Sequence, residues 1–405
     1  MAAWTEQSPS QSSRVTPAWA TLSTNQSASS FPEDCIILGW NVTIPWDNPK
    51  NLVSWETELL VDRLKSGIFI PILYLIGAPT NVVNMAVFFR QGLSKRINMC
   101  LFSLALLDLI SITAILSFHA ERIYTQFVDN ERYSSSYRYI VNNSILGLYA
   151  FSMGSVLMSG IIATERCVCV LFPFRAQRCI PTKVLATIIV ISVLALLSLR
   201  FVSNSQYQVT CFYELRTGRH SWQLYVSDFY FRNKAMLNVF DAFSGFAISL
   251  GIPIVVLLAT VITAIRLHQI VRWRSQASST VSSAKEIAVT KMLIALSAEF
   301  FVLSIPVVIF RLLKVFEPEL GAYGRYSNSF SVLLAISELC FYVSSSVNFF
   351  VYYFTSAGYR ETLRELLGRK ILKKIGQRQI SVAKTELSVA SNATSVSLTE
   401  ANSEK

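Results

Sequence analysis

Apolar stretches, each close to the length of a membrane-spanning helix, recur seven times along the chain. About 20 apolar residues are needed to cross the ~30 Å hydrocarbon core of a bilayer. The stretches carry few charged residues or none, and they cover residues 66–89, 97–118, 139–164, 184–202, 238–265, 292–310 and 329–354. A membrane β-barrel would instead alternate apolar and polar residues. The pattern therefore predicts an all-α membrane protein, a seven-transmembrane helix bundle whose two ends lie on opposite sides of the membrane.

The segments on either side of the bundle differ in composition. Residues 1–62 are rich in Ser, Thr, Asn and Pro, which predicts a flexible extracellular N-terminus, and residues 63–354 hold the bundle. Residues 355–368 contain the stretch AGYRETLRELL, whose apolar side chains share one helical face. This pattern predicts a short amphipathic eighth helix on the inner leaflet. Residues 369–405 are of low complexity, which predicts a disordered cytoplasmic tail.

Charge predicts the orientation of the bundle. The formal net charge is +11, and basic residues gather in alternate connections, such as Arg90, Lys95 and Arg96 after the first stretch. The first 62 residues lean acidic. Under the positive-inside rule the N-terminus is extracellular and the C-terminus cytoplasmic. A position at the surface of the lipid bilayer accounts for the basic excess, so no nucleic-acid partner is expected.

Glycan acceptors and cysteines agree with this orientation. Sequons at Asn25, Asn41 and Asn142 fall on the predicted outside, where glycosylation is expected. Of the seven cysteines, only Cys35 and Cys211 lie in predicted extracellular segments. Disulfides persist in that oxidising environment, so these two cysteines either form a bridge or remain two unpaired thiols.

Six short motifs occur in order at corresponding depths of the predicted helices. They are Gly77 to Asn81 in the first helix, Asn98 to Asp108 in the second, Glu165-Arg166-Cys167 followed by Pro173 in the third, Pro253 in the fifth, Phe300 with Pro306 in the sixth, and Asn348 with Tyr352 in the seventh. Together, over residues 64–367, they resemble the rhodopsin-like (class A) G-protein-coupled receptors. Within that class, the motifs most resemble those of neuropeptide or invertebrate chemosensory receptors.

The resemblance implies a receptor at the plasma membrane that binds an extracellular ligand, a peptide or a small chemosensory molecule, and activates a heterotrimeric G protein. Phosphorylation of tail Ser and Thr residues by a receptor kinase would recruit arrestin. The alternative is a seven-helix protein that does not use G proteins, such as a ligand-gated channel subunit or a scaffold. An enzyme is not expected, because the sequence has neither a close Cys/His cluster nor a phosphate-binding glycine loop.

The resemblance also assigns a role to the adjacent ions at the end of the third helix. It implies that Arg166 couples to the G protein and pairs at rest with Glu165 and with Glu286, as an ionic lock. The alternative is that Glu165 and Arg166 merely mark the membrane interface, with the arginine reaching toward water.

A second group of polar residues lies deeper in the predicted bundle. The resemblance implies a polar pocket around Asp108 that can hold Na⁺, completed by Asn81, Ser155, Ser344 and Asn348. A hydrogen-bonded water network without sodium is the alternative. The resemblance also implies that Phe300, Pro306 and Tyr352 belong to the conformational switch of the receptor.

Several positions depart from the pattern of the family. Val141 stands where the third helix usually has a cysteine, and Ser304 stands where the sixth usually has a tryptophan. Phe349 replaces the proline that usually follows Asn348. Without the helix cysteine, the usual disulfide of the family to Cys211 cannot form. The other changes alter residues of the conformational switch, so they are expected to affect the strength of coupling more than the fold.

Candidate ligand contacts are charged residues near the predicted outer helix ends. They are His119, Arg122, Asp241, Arg311 and Glu338. Leu148 stands where amine receptors have an aspartate, so a biogenic amine is not expected. The charged set suits a zwitterionic or amidated peptide, and the alternative is an Arg311–Glu338 pair that braces the sixth and seventh helices. A lipid ligand also stays open.

The predicted orientation can be tested on intact cells. We expect an antibody against residues 1–62 to stain unpermeabilised cells that express the chain, because the basic connections hold the other face inside. Flow cytometry before and after permeabilisation measures this, with an antibody against residues 369–405 as the matched control. Staining of residues 1–62 after permeabilisation only would contradict the orientation.

Overall fold

The computed structural model describes residues 35–38, 48–125, 146–172, 181–214, 219–276, 282–317, 319–321 and 324–368. The chain forms two units, Met1–Thr355 and Ser356–Lys405. Within the first unit, seven helices are long and apolar enough to cross a membrane, which confirms the predicted seven-helix bundle.

The seven long helices are labelled α1 to α7 in chain order. Helix α1 consists of Trp55–Leu64, a π-helical turn at Lys65–Phe69 and Ile70–Gln91. The next three are α2 (Arg96–Thr125), α3 (Leu146–Leu171) and α4 (Thr182–Asn204). Helix α5 consists of Asp228–Phe246, a π-helical turn at Ala247–Gly251 and Ile252–Gln276. The last two are α6 (Ser282–Phe316) and α7 (Ser327–Thr355).

The helices close into a ring. Helix α1 packs on α2, α5 packs on α6, α6 packs on α7, and α7 returns to pack on α1. Helix α3 packs against α2, α4, α5 and α6, so it runs through the middle of the bundle. Odd-numbered helices run one way and even-numbered helices the other. We call the end where α1 begins the N-terminal face and the end where α7 finishes the C-terminal face.

The first and last helices approach each other very closely. A Cβ atom placed on Gly77 of α1 would lie 2.6 Å from Ser346 Oγ of α7 and 2.7 Å from Ile112 Cδ1 of α2. Only glycine permits this separation of the backbones, as is common where small residues line helix contacts in membranes. The hydroxyl of Ser346 also donates to the Leu73 carbonyl of α1, at 3.3 Å.

The segment before α1 is fixed to the start of α7. Ser54 caps α1, because its hydroxyl accepts a hydrogen bond from the Thr57 N–H at 3.2 Å. The side-chain amide of Asn328 donates to the Val53 carbonyl at 3.1 Å, and the Asn328 N–H donates to Asn51 Oδ1 at 3.2 Å. The helix therefore begins well before the apolar stretch that predicted it.

A small β-sheet lies between α4 and α5, and the all-α prediction did not include it. Strands β2 (Tyr207–Glu214) and β3 (Arg219–Val226) form an antiparallel hairpin, and β1 (Cys35–Leu38) pairs with β2 in parallel. Ser227 closes the base of the hairpin by donating through its N–H to the Gln206 carbonyl at 2.8 Å. Apolar and polar residues alternate from Tyr207 to Cys211, and the aromatic and β-branched residues of both strands are types that favour β-structure.

The sheet brings two cysteines into register. Cys35 of β1 lies opposite Cys211 of β2, and the two side chains form a disulfide. The bridge joins the N-terminal segment to the connection between α4 and α5, across 176 residues of sequence. Among the other described cysteines, Cys100, Cys167, Cys169 and Cys340 are free thiols.

Residues 357–368 of the second unit are helical. Ser356 begins this helix, because its hydroxyl accepts from the Tyr359 N–H at 3.3 Å and its carbonyl accepts from the Arg360 N–H at 3.2 Å. This is the position of the amphipathic eighth helix that the sequence predicts.

Removing the disulfide should lower the thermal stability of the first unit. We expect Cys35→Ser, Cys211→Ser and the double variant to lower the apparent Tm equally, because each removes the same covalent bond, typically worth about 2–4 kcal/mol. Thermal unfolding of purified full-length protein measures this, with Cys340→Ser as the control for loss of a free thiol. A double variant clearly less stable than either single one would show that the cysteines act separately.

Candidate functional site

A cavity of about 430 Å³ lies in the half of the bundle toward the N-terminal face, with lining residues from all seven helices. Most of its wall is apolar, with aromatic side chains from α2, α6 and α7. Ligand pockets in proteins commonly measure about 300–1,000 Å³ and combine an apolar wall with a few placed polar groups. The cavity has the size and character of a small-molecule site.

Charged side chains on four helices line the cavity. They are Lys65 of α1, Arg200 of α4, Arg311 of α6 and Glu338 of α7. The Lys65 ammonium lies 3.1 Å from Glu338 Oε2 and 3.9 Å from Asp62 Oδ1. Arg311 lies with its Cζ 5.9 Å from the centre of the Phe310 ring. Two of the predicted ligand contacts, Arg311 and Glu338, thus line one cavity, and the lysine that pairs with Glu338 was not predicted.

His119, a third predicted ligand contact, does not line this cavity. Its side chain is 3% exposed, and its Nδ1 shares a hydrogen bond of 3.0 Å with Ser66 Oγ. The π-helical turn of α1 carries both Ser66 and Lys65. The histidine therefore ties α2 to α1 just behind the ion pair of Lys65.

Several predicted site residues lie outside the described side chains. They are Arg122, Asp241 and Glu286, together with the glycan acceptors Asn25, Asn41 and Asn142. Their roles stay predictions.

Beneath the cavity, a small polar pocket surrounds Asp108. The carboxylate is fully buried and accepts a hydrogen bond from Ser155 Oγ at 2.5 Å and from Asn348 Nδ2 at 2.9 Å. These contacts join α2, α3 and α7 through one side chain. Ser344 lines both the cavity and the pocket, as do Phe300 and Phe341, so the two spaces share a wall.

The fifth residue predicted for this pocket has a different place. The Asn81 side-chain amide donates to the Gly77 carbonyl at 3.0 Å and to the Ser345 carbonyl at 2.9 Å. It therefore fastens α1 to α7 and does not line the pocket itself. Tyr352 acts similarly, since its buried ring packs edge-on against Phe88 of α1 with centroids 5.1 Å apart.

A second carboxyl group, Glu299 of α6, also lines the polar pocket and was not predicted from the sequence. Neither of its buried oxygens has a hydrogen bond of ordinary geometry to the residues that the structure describes, and Ser344 lies beside them. An ionisable residue in the middle of an apolar stretch is itself a functional signal. That signal was present in the sequence for Glu299 and for Arg200.

The oxygen-rich lining of the pocket suits a small hard cation. Asp108, Glu299 and the hydroxyls of Ser155 and Ser344 supply oxygen ligands, and the free space is about that of one water molecule. Within the described part of the chain, no group of three or more His, Cys, Asp and Glu side chains has the arrangement of a metal site. Among the described residues, Asp108 and Glu299 are the two acidic side chains that line the pocket.

Near the C-terminal face, one buried carboxylate is shared by two arginines. Glu165 is 5% exposed; its Oε2 accepts from Arg166 Nε at 2.5 Å, and its Oε1 lies 3.6 Å from Arg96 Nε. The Cys169 thiol donates to the same Oε1 at 3.2 Å and accepts from Arg96 Nη2 at 3.3 Å. Arg96 begins α2, so this cluster joins the ends of α2 and α3. From the sequence alone, Arg96 indicated only the orientation of the bundle in the membrane.

Arg166 also faces α5 and α6. It lines a small space with hydroxyl groups from both helices, including Thr260, Thr263, Thr290 and Ser297. The guanidinium thus stands between its acidic neighbour and a polar space between two other helices. The Arg166 side chain is 17% exposed, so it is largely buried at this end of the bundle.

The family of the chain follows from its match to a family model. The model for serpentine type 7TM GPCR chemoreceptor Srw matches residues 68–370, a span that reaches from α1 to beyond the helix at 357–368. No curated protein matches the chain. The match confirms a G-protein-coupled receptor with a chemosensory character, whereas the finer likeness to class A and to neuropeptide receptors stays a prediction. The chain belongs to the Srw family of serpentine seven-transmembrane G-protein-coupled chemoreceptors.

Proposed function

We propose that this chemoreceptor binds its ligand in the 430 Å³ cavity and transmits the event along α3 to a G protein at the C-terminal face. One observation carries the proposal: the cavity, the Asp108 pocket and the Glu165–Arg166 pair all lie along α3. Ser152 lines the cavity, Ser155 lines the pocket, and Arg166 follows eleven residues later. At 1.5 Å per residue, that separation is about 16 Å.

The ligand would be a small molecule or the end of a peptide, because the volume of the cavity admits no larger body. The N-terminal face would be extracellular and the receptor would reside in the plasma membrane. Basic residues on the C-terminal face and the sequons near the other end support this orientation. We further propose that kinase and arrestin act on the Ser- and Thr-rich residues 369–405.

The Glu165–Arg166 pair would hold the resting state. A buried, hydrogen-bonded ion pair is costly to break, so the resting conformation is favoured unless a ligand prefers the other. Moving a two-state population from 1:99 to 99:1 requires a ligand to favour the active state by about 5.5 kcal/mol. Arg96 lowers this requirement, because it continues to compensate Glu165 when Arg166 turns toward α5 and α6.

Sodium would bind in the Asp108 pocket. It would supply a positive charge between two carboxyl groups and so favour the packing in which α2, α3 and α7 share Asp108. Asp108, Ser155 and Ser344 would hold the ion, with Glu299 as an additional oxygen donor.

Substitution of Arg166 tests the proposed coupling. We expect Arg166→Ala to lower G-protein nucleotide exchange at least tenfold without abolishing surface expression, because the guanidinium would contact the G protein in the active state, while Arg96 still compensates the charge of Glu165 in the variant. Exchange of labelled GTP analogue in membranes, normalised to surface receptor, measures the effect. Arg90→Ala, an exposed arginine near the same face, is the matched control. Unchanged exchange in a verified Arg166→Ala receptor would refute the proposed coupling role.

Substitution in the polar pocket tests the proposed sodium site. In the parent receptor, replacing Na⁺ by N-methylglucamine should raise ligand-independent exchange, because the ion favours the resting packing. In Asp108→Asn this sodium effect should be lost, since the ion loses its principal charged ligand. Asp228→Asn, an exposed carboxylate at the start of α5, should keep the effect. A sodium response that persists in Asp108→Asn would place the ion elsewhere.

A further inference from the structure

We propose that the ligand of this receptor is an uncharged molecule with an apolar body and one hydroxyl or carbonyl oxygen, and that the Ser152 hydroxyl binds this oxygen. The inference rests on the proposed use of the 430 Å³ cavity as the ligand site, and it names the chemical class of the ligand.

The hydroxyl groups of the cavity wall carry the inference. Ser304 Oγ donates to the Phe300 carbonyl at 2.6 Å. Ser337 Oγ donates to the Leu333 carbonyl at 2.8 Å, so each of these hydroxyls is satisfied by its own helix. Ser152 differs from them, because its side chain is 8% exposed and its Oγ has no hydrogen-bond partner among the described residues. The wall therefore contains a polar group that is withdrawn from bulk water and is still able to bind a ligand atom.

A buried hydroxyl without a partner favours a ligand that supplies one. Burial removes the hydrogen bonds that Ser152 would make to water, and a ligand atom that takes their place recovers the lost free energy. A serine hydroxyl has one donor and two acceptor positions, so it can pair with a carbonyl oxygen as well as with another hydroxyl. A ligand without such an atom would leave the loss uncompensated.

The charged groups of the wall already have partners. The Lys65 ammonium lies 3.1 Å from Glu338 Oε2 and 3.9 Å from Asp62 Oδ1. Arg200 and Arg311 also interact with other groups of the chain, so neither is a free cation. A charged ligand would have to displace one of these partners or lie unpaired against the apolar part of the wall, and either arrangement costs free energy. A neutral ligand avoids both costs.

The rest of the wall specifies the body of the ligand. Apolar surface from α3, α6 and α7 is contributed by Met153, Leu303, Phe310 and Phe341. Burial of an apolar body against such a surface is favourable in proportion to the area removed from water. An alkyl or arylalkyl chain matches this surface, whereas a strongly hydrophilic ligand would leave it without a complementary partner.

The position of Ser152 places the ligand oxygen near the Asp108 pocket. Ser152 precedes Ser155 on α3 by one helical turn, about 4.5 Å along the helix axis. Ser155 donates to the buried carboxylate of Asp108, and the cavity and the pocket share Phe300 and Phe341. An oxygen bound to Ser152 would therefore lie one turn from the hydrogen bond that joins α2 to α3, where its binding can act on that contact.

The test uses the purified full-length receptor in nanodiscs of neutral lipid, at constant pH, sodium and ionic strength. The probes are phenylalkanols from phenylethanol to phenyloctanol and the matching methyl ketones, with the parent hydrocarbon, the carboxylate and the primary amine of each chain length. Thermal unfolding as a function of probe concentration measures binding. We expect one or more alcohols or ketones to raise the apparent Tm, and the matching carboxylates and amines to need a concentration about tenfold higher or more.

A variant of Ser152 isolates the proposed hydrogen bond. For each chain length, the concentration of hydrocarbon needed for half of the shift is divided by that of the alcohol or ketone. Ser152→Ala should lower this ratio about fivefold, which corresponds to about 1 kcal/mol, because only the probes with an oxygen lose a contact. Partition of the probes into lipid is the same for parent and variant, so it cancels from the comparison. Ser152→Cys, which keeps a weaker donor, should give an intermediate ratio.

Ser111→Ala is the matched control. Ser111 is also a buried helix serine, but its hydroxyl donates to the Leu107 carbonyl at 2.7 Å and it does not line the cavity. This variant should leave the ratio unchanged. Ser152→Ala should not lower the Tm of the ligand-free receptor, because it removes a hydroxyl without a partner; a lower Tm would show a structural partner and count against the inference. Each variant must still unfold cooperatively.

Three results would overturn the inference. No alcohol or ketone of the series shifts the Tm, or a carboxylate or amine acts as strongly as the neutral probes, or the ratio is the same in the parent and in Ser152→Ala. A charged probe whose shift is abolished by Leu303→Trp, which would fill the cavity, would refute the neutral class and leave the cavity as the ligand site.

Nucleotide exchange in the same nanodiscs separates this failure from failure of the proposed function. Exchange that depends on Arg166 would persist if only the ligand class were wrong. The effect of Ser152→Ala on the ratio would persist if only the coupling role were wrong.

Discussion

The hydrogen bonds of Asp108 are the constraint on which the arrangement of the helices depends. A carboxylate in the middle of a membrane helix costs about 2.5–3.5 kcal/mol on insertion scales, and much of that cost is avoided only if other helices provide donors. Ser155 of α3 and Asn348 of α7 provide them. Helices whose apolar surfaces suit lipid and one another equally well gain little from hydrophobic burial, so such polar contacts decide which helix faces lie together. The close contact of Gly77 with α7 is possible only in the resulting register.

At the C-terminal face, another buried carboxylate joins two helices, but its partners are charged. Glu165 is buried, and two guanidinium groups from two helices compensate its charge. An acid with one partner would hold that partner firmly, because separation would leave a buried charge alone. With Arg96 in place, Arg166 can leave Glu165 at a smaller cost. The hydroxyl-lined space between α5 and α6 offers the departing guanidinium new acceptors. The proposed coupling role requires two positions of this arginine, one on Glu165 and one toward the hydroxyl-lined space, as a switch does.

At the N-terminal face, a disulfide and an ion pair connect separate segments of the chain, as the hydrogen bonds of Asp108 connect helices in the core. The Cys35–Cys211 bridge and the pairing of β1 with β2 fix the N-terminal segment to the connection between α4 and α5. Val141 occupies the position where the resembling receptors usually place a helix cysteine, and this chain uses a strand cysteine instead. The Lys65–Glu338 pair links α1 to α7 at the wall of the cavity. The wall of the cavity and the contact between α1 and α7 therefore share the same two side chains.

The sequence by itself determined the number of crossings, their places and the identity of Asp108 and the Glu165–Arg166 pair as exceptional ions. Those features are local, because a run of apolar residues and a charge within it can be recognised without knowledge of the neighbouring helices. Glu299 and Arg200 carried the same local signal and could have been recognised in the same way. The tertiary structure alone decided that Arg96 shares Glu165, that Lys65 pairs with Glu338, that His119 bonds to Ser66, and that Asn81 joins α1 to α7. These contacts link residues 53 to 273 positions apart, and their partners depend on helix rotation and crossing, which the packing of the whole bundle sets.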